Sequence, residues 1–438
     1  METLVKRCAG LDVHKDTVAA CVRVMEEDGR VTKTVRVFGT VTRSLLELSD
    51  WLAESGVTDV AMEATGVYWK PIYNILEGRF GVLLVNAQHI KKVPGRKTDV
   101  TDCDWIAQLL QCGLLSGSFI PPRPQRQWRD LTRTRVQLVG EKSRHVQRIE
   151  KVLEDANIKV AGVATDIMGK SGRDMIEALI GGETDPKAMA ELARGRMRSK
   201  KGQLREALWG RVNDHHRRML RLHYEQIQHL ERTIAELNEW IEAMVTSGEL
   251  DQPQCGGVLE EVKAASQETK PLPFEQAVAR ADEIPGIDVQ AATDILAEIG
   301  TNMAQFPSEK HLCSWTRICP GNNESAGKRK SGKTGRGNPW LRRILSQVAW
   351  AASHTKDTYF AAQFRRIAKR RGKKRAIITV AHSILTVLYH MLKYDRHYNE
   401  LGEDFFDRLD PERVTRYHVG RLEDLGYNVT LAKAPVAA

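Results

Sequence analysis

The chain has 438 residues, 42% hydrophobic and 28% charged, which is the composition of a globular protein with room for two or three domains. Its formal net charge of +10 and its pI near 9.2 favour a polyanionic partner. The seven cysteines include no Cys-x-x-Cys pair, which argues against a disulfide framework and a zinc site. No apolar run approaches the length of a membrane span, and no signal-peptide core is found, which argues against membrane contact and secretion.

The first 118 residues alternate between predicted strands and helices. Strands are predicted over 7–13, 17–24 and 31–38, with Asp28-Gly29 as a hairpin turn between the last two. The order then continues with a helix over 41–52, a strand over 59–63, a helix over 68–76 and a strand over 81–87. Three strands followed by alternating helix and strand indicate an α/β domain with a mixed sheet.

Four carboxylates stand where such a sheet places its ligands. Asp12 and Glu63 each end a core strand, and open α/β sheets bind ligands at the carboxyl ends of their strands. Asp99 and Asp102 lie three residues apart at the start of an apolar-periodic helix and share one face, from which Asp104 is excluded. Capping or simple surface exposure explains each acid taken singly. Together they would form an oxygen-rich pocket suited to Mg²⁺ or Mn²⁺ and to phosphoryl transfer.

The middle of the chain is predicted to be helical. A proline cluster at 121–124 indicates a linker, and helical patterns follow over 128–155, 173–180 and 189–197. A heptad repeat from Leu220 to Met244 alternates β-branched residues with leucine, as in two-stranded coiled coils. A helical hairpin within one chain would show the same repeat, so dimer contact and intramolecular packing both stay open. Residues 160–210 carry no readable motif, and 248–275 resemble a second linker.

Positive charge concentrates in the last third of the chain. From Lys328 to Arg375 there are sixteen Lys and Arg residues against one acid, Asp357. Four aromatic residues are interleaved with them: Trp340, Trp350, Tyr359 and Phe360. This density favours a nucleic-acid surface over an ordinary solvated face. Ahead of it, Ile284-Pro285-Gly286 and a helix over 291–299 resemble a helix-hairpin-helix element, whose backbone N–H groups bind phosphate.

A glycine-rich basic loop over 319–338 holds two serines, Ser325 and Ser331. Either hydroxyl would be a nucleophile if a base or metal took its proton, with the surrounding cations stabilising the charge. Turn chemistry explains a serine in such a loop without any catalytic role. Residues 327–334 also match the P-loop pattern, but turn formers precede them where a strand should be, and glycines and a proline follow where a helix should start. The context disfavours an ATP site.

Three features occur together and in this order: the acids on two strand ends, the Lys97-Thr98-Asp99-x-x-Asp102 helix start, and the Pro-Gly helix leading to a serine in a basic loop. This combination resembles one family. It is the family of bacterial insertion-sequence transposases of the IS110 type, the bridge-RNA-guided recombinases, and the resemblance covers 7–115 and 280–375. It implies a RuvC-like, RNase H-fold domain with a DEDD tetrad that binds Mg²⁺ or Mn²⁺ through Asp12, Glu63, Asp99 and Asp102.

The resemblance also implies a C-terminal domain with a nucleophilic serine. In the family this serine lies five residues after the proline of a Pro-Gly pair, which points to Ser325, counted from Pro320, over Ser331. Two positions depart from the family pattern. Cys103 stands where alanine is usual, and Ala326 follows the serine in place of glycine.

We therefore predict an α/β plus all-α protein with three parts. These are a RuvC-like mixed-sheet domain over 1–118, a helical and coiled-coil region over 119–278, and a mostly helical C-terminal transposase domain over 279–438 that holds the serine loop and the helix-hairpin-helix-like element. The expected activity is excision and insertion of an insertion sequence by metal-assisted attack of Ser325 on DNA, guided by a non-coding RNA of the element.

The expected partners are the DNA of the element ends and target, the guide RNA, and further copies of the chain, as a dimer or tetramer joined through the helical middle. The expected location is the bacterial cytoplasm, at the nucleoid and away from membranes. Two other functions stay open. One is a metal-dependent Holliday-junction-type nuclease without a covalent serine intermediate, and the other is a non-catalytic DNA- or RNA-binding protein.

Overall fold

The computed structural model of the chain describes residues 4–86, 90, 101–115, 117–251, 271–319, 323–325, 328–331, 334–335 and 337–432. Asp99 of the predicted tetrad lies outside these residues, as does most of the second predicted linker.

A five-stranded mixed sheet forms the N-terminal part of the fold. Its strands are β1 (Arg7–Val13), β2 (Thr17–Met25), β3 (Val31–Gly39), β4 (Asp59–Glu63) and β5 (Gly81–Val85). The strand order is β3-β2-β1-β4-β5; the first three strands are antiparallel, and β4 and β5 run parallel to β1. The mixed sheet and the helical remainder confirm the predicted fold class in outline.

Helices cover both faces of this sheet. One face packs against α1 (Thr42–Glu54) and α2 (Trp69–Leu76), and the other against α3 (Asp102–Gln111). Because side chains alternate along a strand, β1 presents one set of residues to α1 and α2 and the other set to α3. The first set is Ala9, Leu11 and Val13, and the second is Cys8, Gly10 and Asp12. The sheet therefore separates an apolar layer from the layer that carries the strand-end acids.

Two 33-residue helices, α4 (Arg123–Asp155) and α9 (Asp214–Thr246), pack against each other through the middle of the chain. They run antiparallel, since Arg135 meets Asn238 and Asp155 meets His216. Between them lie α5 (Val160–Val163), α6 (Lys170–Gly181), α7 (Pro186–Glu191), a 3₁₀ turn (Gly195–Lys200) and α8 (Lys201–Ala207).

Two sequence expectations for the middle are resolved by these helices. Heptad residues Leu220 and Ile227 are buried with Ile149 and Leu153 of α4, so the repeat packs within one chain. The predicted linker is shorter than the proline cluster, because only residues 121–122 lie in the non-helical connection before α4. Pro124 instead occupies the first turn of α4, where the missing N–H and the fixed φ of proline suit a helix start.

The C-terminal part is mainly helical and has its own core. Its helices are α10 (Phe274–Asp282), α11 (Val289–Ile299), α12 (Glu309–Thr316), α13 (Pro339–Ala352), α14 (Tyr359–Arg371), α15 (Lys373–Tyr394), α16 (Phe405–Arg408) and α17 (Pro411–Asp424). Short 3₁₀ turns span Glu249–Asp251 and Met303–Gln305. A hairpin of β6 (Asn323–Ser325) and β7 (Lys328–Ser331) lies between α12 and α13.

Of the helices in the described ranges, α15 alone passes a length and hydropathy test for a membrane span, with a mean hydropathy of 1.4. Half of that window is buried inside the protein, and Val380, Ile384 and Leu388 lie in the C-terminal core. These contacts are those of a core helix.

The Pro-Gly turn joins α10 to α11, as the predicted helix-hairpin-helix shape requires. Gly286 has φ of +88°, and a Cβ there would lie 2.7 Å from the carbonyl oxygen of Val348 in α13, so only glycine fits this turn. The Asp288 carboxylate accepts the N–H of Ala291 at 2.7 Å. In this arrangement the protein itself occupies the helix start where we expected phosphate to bind.

Buried charge joins α4 to the C-terminal end of α11. Gln125 and Arg129 donate to the carbonyl oxygen of Ala297 at 3.0 and 2.8 Å, and Arg129 also donates to the carbonyl of Glu298. Arg133 binds both carboxylate oxygens of Glu298, at 2.7 and 2.8 Å. The last carbonyls of α11, which have no partner within the helix, are thus satisfied by side chains of α4.

The junction extends to two further side chains. The side-chain amide of Asn338 donates to the Glu298 carboxylate at 2.6 Å, and the oxygen of the same amide accepts the N–H of Trp340 and so caps α13. Arg135 pairs with Asp294, whose pKa burial raises to about 6 although the guanidinium opposes that change. Burial lowers the pKa of Arg129 to about 10. These shifts show how strongly the junction is removed from water.

We expect Glu298→Gln to lower the free energy of unfolding by about 3–5 kcal/mol, because it leaves the Arg129 and Arg133 charges without their buried counter-ion. Denaturant unfolding of the full chain measures this loss. Glu275→Gln, at an exposed acid in the first turn of α10, is the matched control and should change stability by less than about 0.5 kcal/mol. Equal effects of the two substitutions would contradict the assignment.

Candidate active site

Two of the predicted acids lie side by side at the carboxyl ends of parallel strands. The register pairs Leu11 of β1 with Met62 of β4, and Asp12 and Glu63 follow directly on the two strands. Neighbouring strands are about 4.8 Å apart, so the two carboxylates leave the same edge on the α3 face. The Asp12 side chain is 22% exposed and Glu63 is half-buried, which keeps both within reach of a ligand.

The third acid, Asp102, begins α3, and a close helix–strand contact holds it in this region. A Cβ on Gly10 would overlap the carbonyl oxygen of Cys103 and the amide nitrogen of Ala107. The backbone of α3 therefore lies directly on β1, two residues before Asp12. Burial raises the pKa of the Cys103 thiol at this contact, and the Asp12 charge adds to that rise.

Asp104 has a structural role that explains its place off the predicted acidic face. It is buried, it pairs with Arg23 of β2, and it accepts the Lys33 ammonium of β3 at 2.9 Å. Burial alone would raise the pKa of Asp104, but hydrogen bonds and charges from Lys33 and Arg23 outweigh it and hold the pKa below its usual value. This network fixes α3 to the β2–β3 half of the sheet.

His14 is a site residue that the sequence analysis missed. Its Nε2 lies 3.2 Å from an oxygen of Asp12, and its ring is mostly exposed. The available signal was strand alternation, because residue 14 follows Asp12 by two and returns to the same side of the chain. A cation at this position would face any anion bound beside Asp12.

The donor set of the site is made of carboxylates. Within the described ranges no group of three or more His, Cys, Asp or Glu side chains is placed to hold a metal ion, and Asp99 stands outside those ranges. Asp12 and Glu63 come together as predicted neighbours, with Asp102 on the adjoining helix. Hard oxygen donors of this kind suit Mg²⁺ or Mn²⁺ and not zinc.

The second predicted part of the site lies on the C-terminal hairpin. Ser325 ends β6 and pairs with Lys328 at the turn, whereas Ser331 pairs with Asn323 at the opposite end. The hairpin leaves the core after Ile318 and returns at Gly337, where a Cβ would lie 2.6 Å from the Thr316 carbonyl oxygen. Ser325 is therefore at the outer end of a loop whose two ends meet on α12.

The P-loop alternative is wrong in the part that the structure describes. Residues Lys328–Ser331 form strand β7, paired with β6, where a phosphate-binding loop would require a turn into a helix.

Two of the four aromatic residues that we expected on the basic surface of the C-terminal part have a packing role. Phe360 is buried and Tyr359 packs on Phe405 and Phe406, so these aromatics serve the core rather than a nucleic-acid surface. Exposed cations instead collect where α14 turns into α15. This ridge comprises Lys369, Arg370, Arg371, Lys373, Lys374 and Arg375.

Comparison with known proteins was made with this geometry in view. A family model for the DEDD domain of IS110 transposases, described as Transposase, matches residues 9–158, and a model described as Transposase IS116/IS110/IS902 family matches residues 278–365. Both matches are to DNA transposases, so the chain is a DNA-acting enzyme of that class. The chain belongs to the IS110-type transposase family, as its sequence motifs predicted. No curated protein matches it significantly.

We expect Gly10→Ala to destabilise the N-terminal part by about 1–3 kcal/mol, because the new methyl group collides with the backbone of α3. Displacement of Asp102 should also reduce DNA cleavage by about 100-fold. Thermal unfolding and a cleavage assay measure the two effects. Gly140→Ala, on a face of α4 with open space around it, should leave cleavage unchanged. A similar loss of cleavage in that control would show that the effect of Gly10→Ala does not come from the packing of α3 on β1.

We expect Asp104→Asn to cost roughly 2–3 kcal/mol at pH 7, since it leaves Arg23 and Lys33 without their buried counter-ion. The native pKa is lowered, so this stability is present above the ordinary pKa of 3.8 and is lost as pH falls through the native value. The unfolding free energies of both proteins should differ at pH 7 and approach each other only below pH 3.8. Asp16→Asn, at an exposed acid nearby, keeps the Asp104 network and should follow the unmodified chain over the same range.

Proposed function

We propose that the chain is a recombinase that excises and inserts its own DNA element. The observation that carries the proposal is the placement of Asp12 and Glu63 on adjacent parallel strand ends, with Asp102 on the helix that crosses β1. Carboxylates gathered in this way suit phosphodiester chemistry. The family assignment supplies DNA as the substrate class.

The donor chemistry fits a divalent cation, and the DEDD family model indicates dependence on one. We propose Mg²⁺ or Mn²⁺, held by Asp12, Glu63, Asp102 and, from outside the described residues, Asp99. Such a cation would lower the pKa of a bound hydroxyl and offset charge on the phosphate. The protein contributes orientation, since Gly10 sets how closely α3 approaches β1.

We assign the attack on DNA to Ser325. Its Oγ would lose its proton and form a bond to phosphorus as the bond from phosphorus to one DNA oxygen breaks, and that oxygen would take up a proton to become a hydroxyl. The phosphoserine link keeps the bond energy, so a second DNA hydroxyl can displace the serine without ATP. The position beside the hairpin turn supports Ser325 over Ser331, which pairs at the opposite end of the two strands.

Other parts of the proposal concern assembly and partners. We propose that a non-coding RNA of the element guides target choice, and that the chain acts as a dimer or tetramer in the bacterial cytoplasm, at the nucleoid. The outer face of α9 carries exposed Leu222 and Trp240, which supports contact through the helical middle. We propose three domains, with limits at 1–118, 119–278 and 279–438.

A metal-dependent Holliday-junction-type nuclease is the second candidate. The same acid pair at the sheet edge favours it, because water could replace the serine as nucleophile. Ser325 would then be a turn residue.

The deciding experiment incubates the full chain with element-end DNA, the flanking transcript and Mg²⁺, then denatures the mixture and looks for a covalent protein–DNA adduct. We expect an adduct that Ser325→Ala abolishes and that Ser331→Ala, at the other end of the hairpin, retains. Cleavage that leaves no adduct, and that Asp102→Ala abolishes while both serine variants keep it, would establish the nuclease. Binding without cleavage in any of these proteins would favour the non-catalytic alternative.

A further inference from the structure

The segment over 159–213, here called the tip module, lies outside both family matches. It occupies the ends of α4 and α9 that are farther from α11 and shares a core with them, to which it contributes Met175, Leu179 and Leu204. At about 1.5 Å per residue, α4 runs about 30 Å from Arg135, at the α11 junction, to Asp155 at the module. The module is therefore a folded unit held at a set distance from the C-terminal part.

Positive charge in the tip module is concentrated in one stretch. Residues 194–205 contain six cations and no acid: Arg194, Arg196, Arg198, Lys200, Lys201 and Arg205. Glu191 pairs with Lys201 and Arg205, and Asp174 pairs with Arg194. The cations of this stretch without an acidic partner are the ones that a negatively charged partner would contact.

Two guanidinium groups in this stretch have no protein counter-ion. Arg196 and Arg198 are exposed on the 3₁₀ turn, and neither forms an ion pair or a side-chain hydrogen bond within the described ranges. Lys170 is likewise exposed without such a partner. Neighbouring positive charges repel each other in the free protein, whereas a polyanion would satisfy them together.

An open cleft of about 320 Å³ lies beside these cations. Its walls come from Asp166, 169–172 and 194–197, so the three cations Lys170, Arg194 and Arg196 line it beside one acid, Asp166. Its floor is firm, because Ser171 and Gly172 are buried and the Ser171 hydroxyl accepts the N–H of Arg194 at 2.9 Å. The cleft therefore presents charge on a preformed surface, which suits the planar guanidinium-to-phosphate contact.

We propose that the tip module binds the backbone of duplex DNA flanking the site of strand exchange, through Arg196, Arg198 and Lys170. The α11 junction also includes Asn338, which directly follows the serine hairpin, and one turn of B-DNA is about 34 Å, so a duplex that meets the hairpin can also reach the module. This inference rests on the proposed function, because it takes element DNA as the substrate. It adds contacts without base readout, which position the duplex independently of its sequence.

The test measures equilibrium binding of the full chain to labelled element-end duplexes between 50 and 200 mM KCl. One duplex covers the end only and the other extends two turns beyond it. Two lost phosphate contacts lower the salt slope by about 1.8. We expect the affinity of the unmodified chain for the long duplex to fall roughly tenfold more over this range than that of Arg196→Ala/Arg198→Ala, with no difference on the short duplex.

Lys201→Ala/Arg205→Ala is the matched control, since it removes the same formal charge from the same module at two cations that already pair with Glu191. It should change the slope by less than half as much, and thermal unfolding should show both variants folded. Equal slopes for the two variants, or a loss seen only with an RNA probe, would overturn the proposal. The binding assay needs no cleavage, so an unmodified chain that forms no adduct but shows the slope difference would reject the serine mechanism and retain this proposal.

Discussion

The buried carboxylate of Glu298 is the constraint on which the arrangement of the chain depends. It receives both nitrogens of Arg133 and the amide of Asn338, and Arg129 lies 3.6 Å away. A charge so far from water is tolerated only with its partners in place. Those partners come from α4, which starts just after the sheet domain, and from the residue that starts α13, just after the serine hairpin. One side chain thereby ties the helical middle to the segment that carries Ser325.

The N-terminal part could be read from the sequence because its signals are local. The strands of β1 to β5 are short apolar or alternating runs, and the Asp28-Gly29 turn joins two of them, so their order and ends follow from neighbouring residues. The acids at Asp12 and Glu63 were found for the same reason, since each ends its own strand. The role of Gly10 was not readable, because the backbone that fills its missing side chain comes from Cys103 and Ala107, more than ninety residues later.

Charge was harder to interpret than pattern. Counting cations over 328–375 indicated a basic surface, yet Phe360 is buried and Tyr359 packs on α16, because these aromatics fill a core that the sequence count could not show. Arg129 and Arg135 carried no separate signal in the sequence, yet both are buried against α11. In each case a non-local partner decides whether a polar side chain is structural or available, and periodicity carries no record of that partner.

The two ends of the serine hairpin are neighbours, with Gly337 seated against Thr316 and Arg317 at the end of α12. A loop whose ends already meet costs little more to close when residues are added, about 0.6 kcal/mol for each doubling of its length. Its reach can therefore be altered by insertion or deletion while the helices beneath stay as they are. The hairpin can therefore be exchanged for hairpins of other lengths on the same helices, which offers a way to change the phosphate that Ser325 contacts.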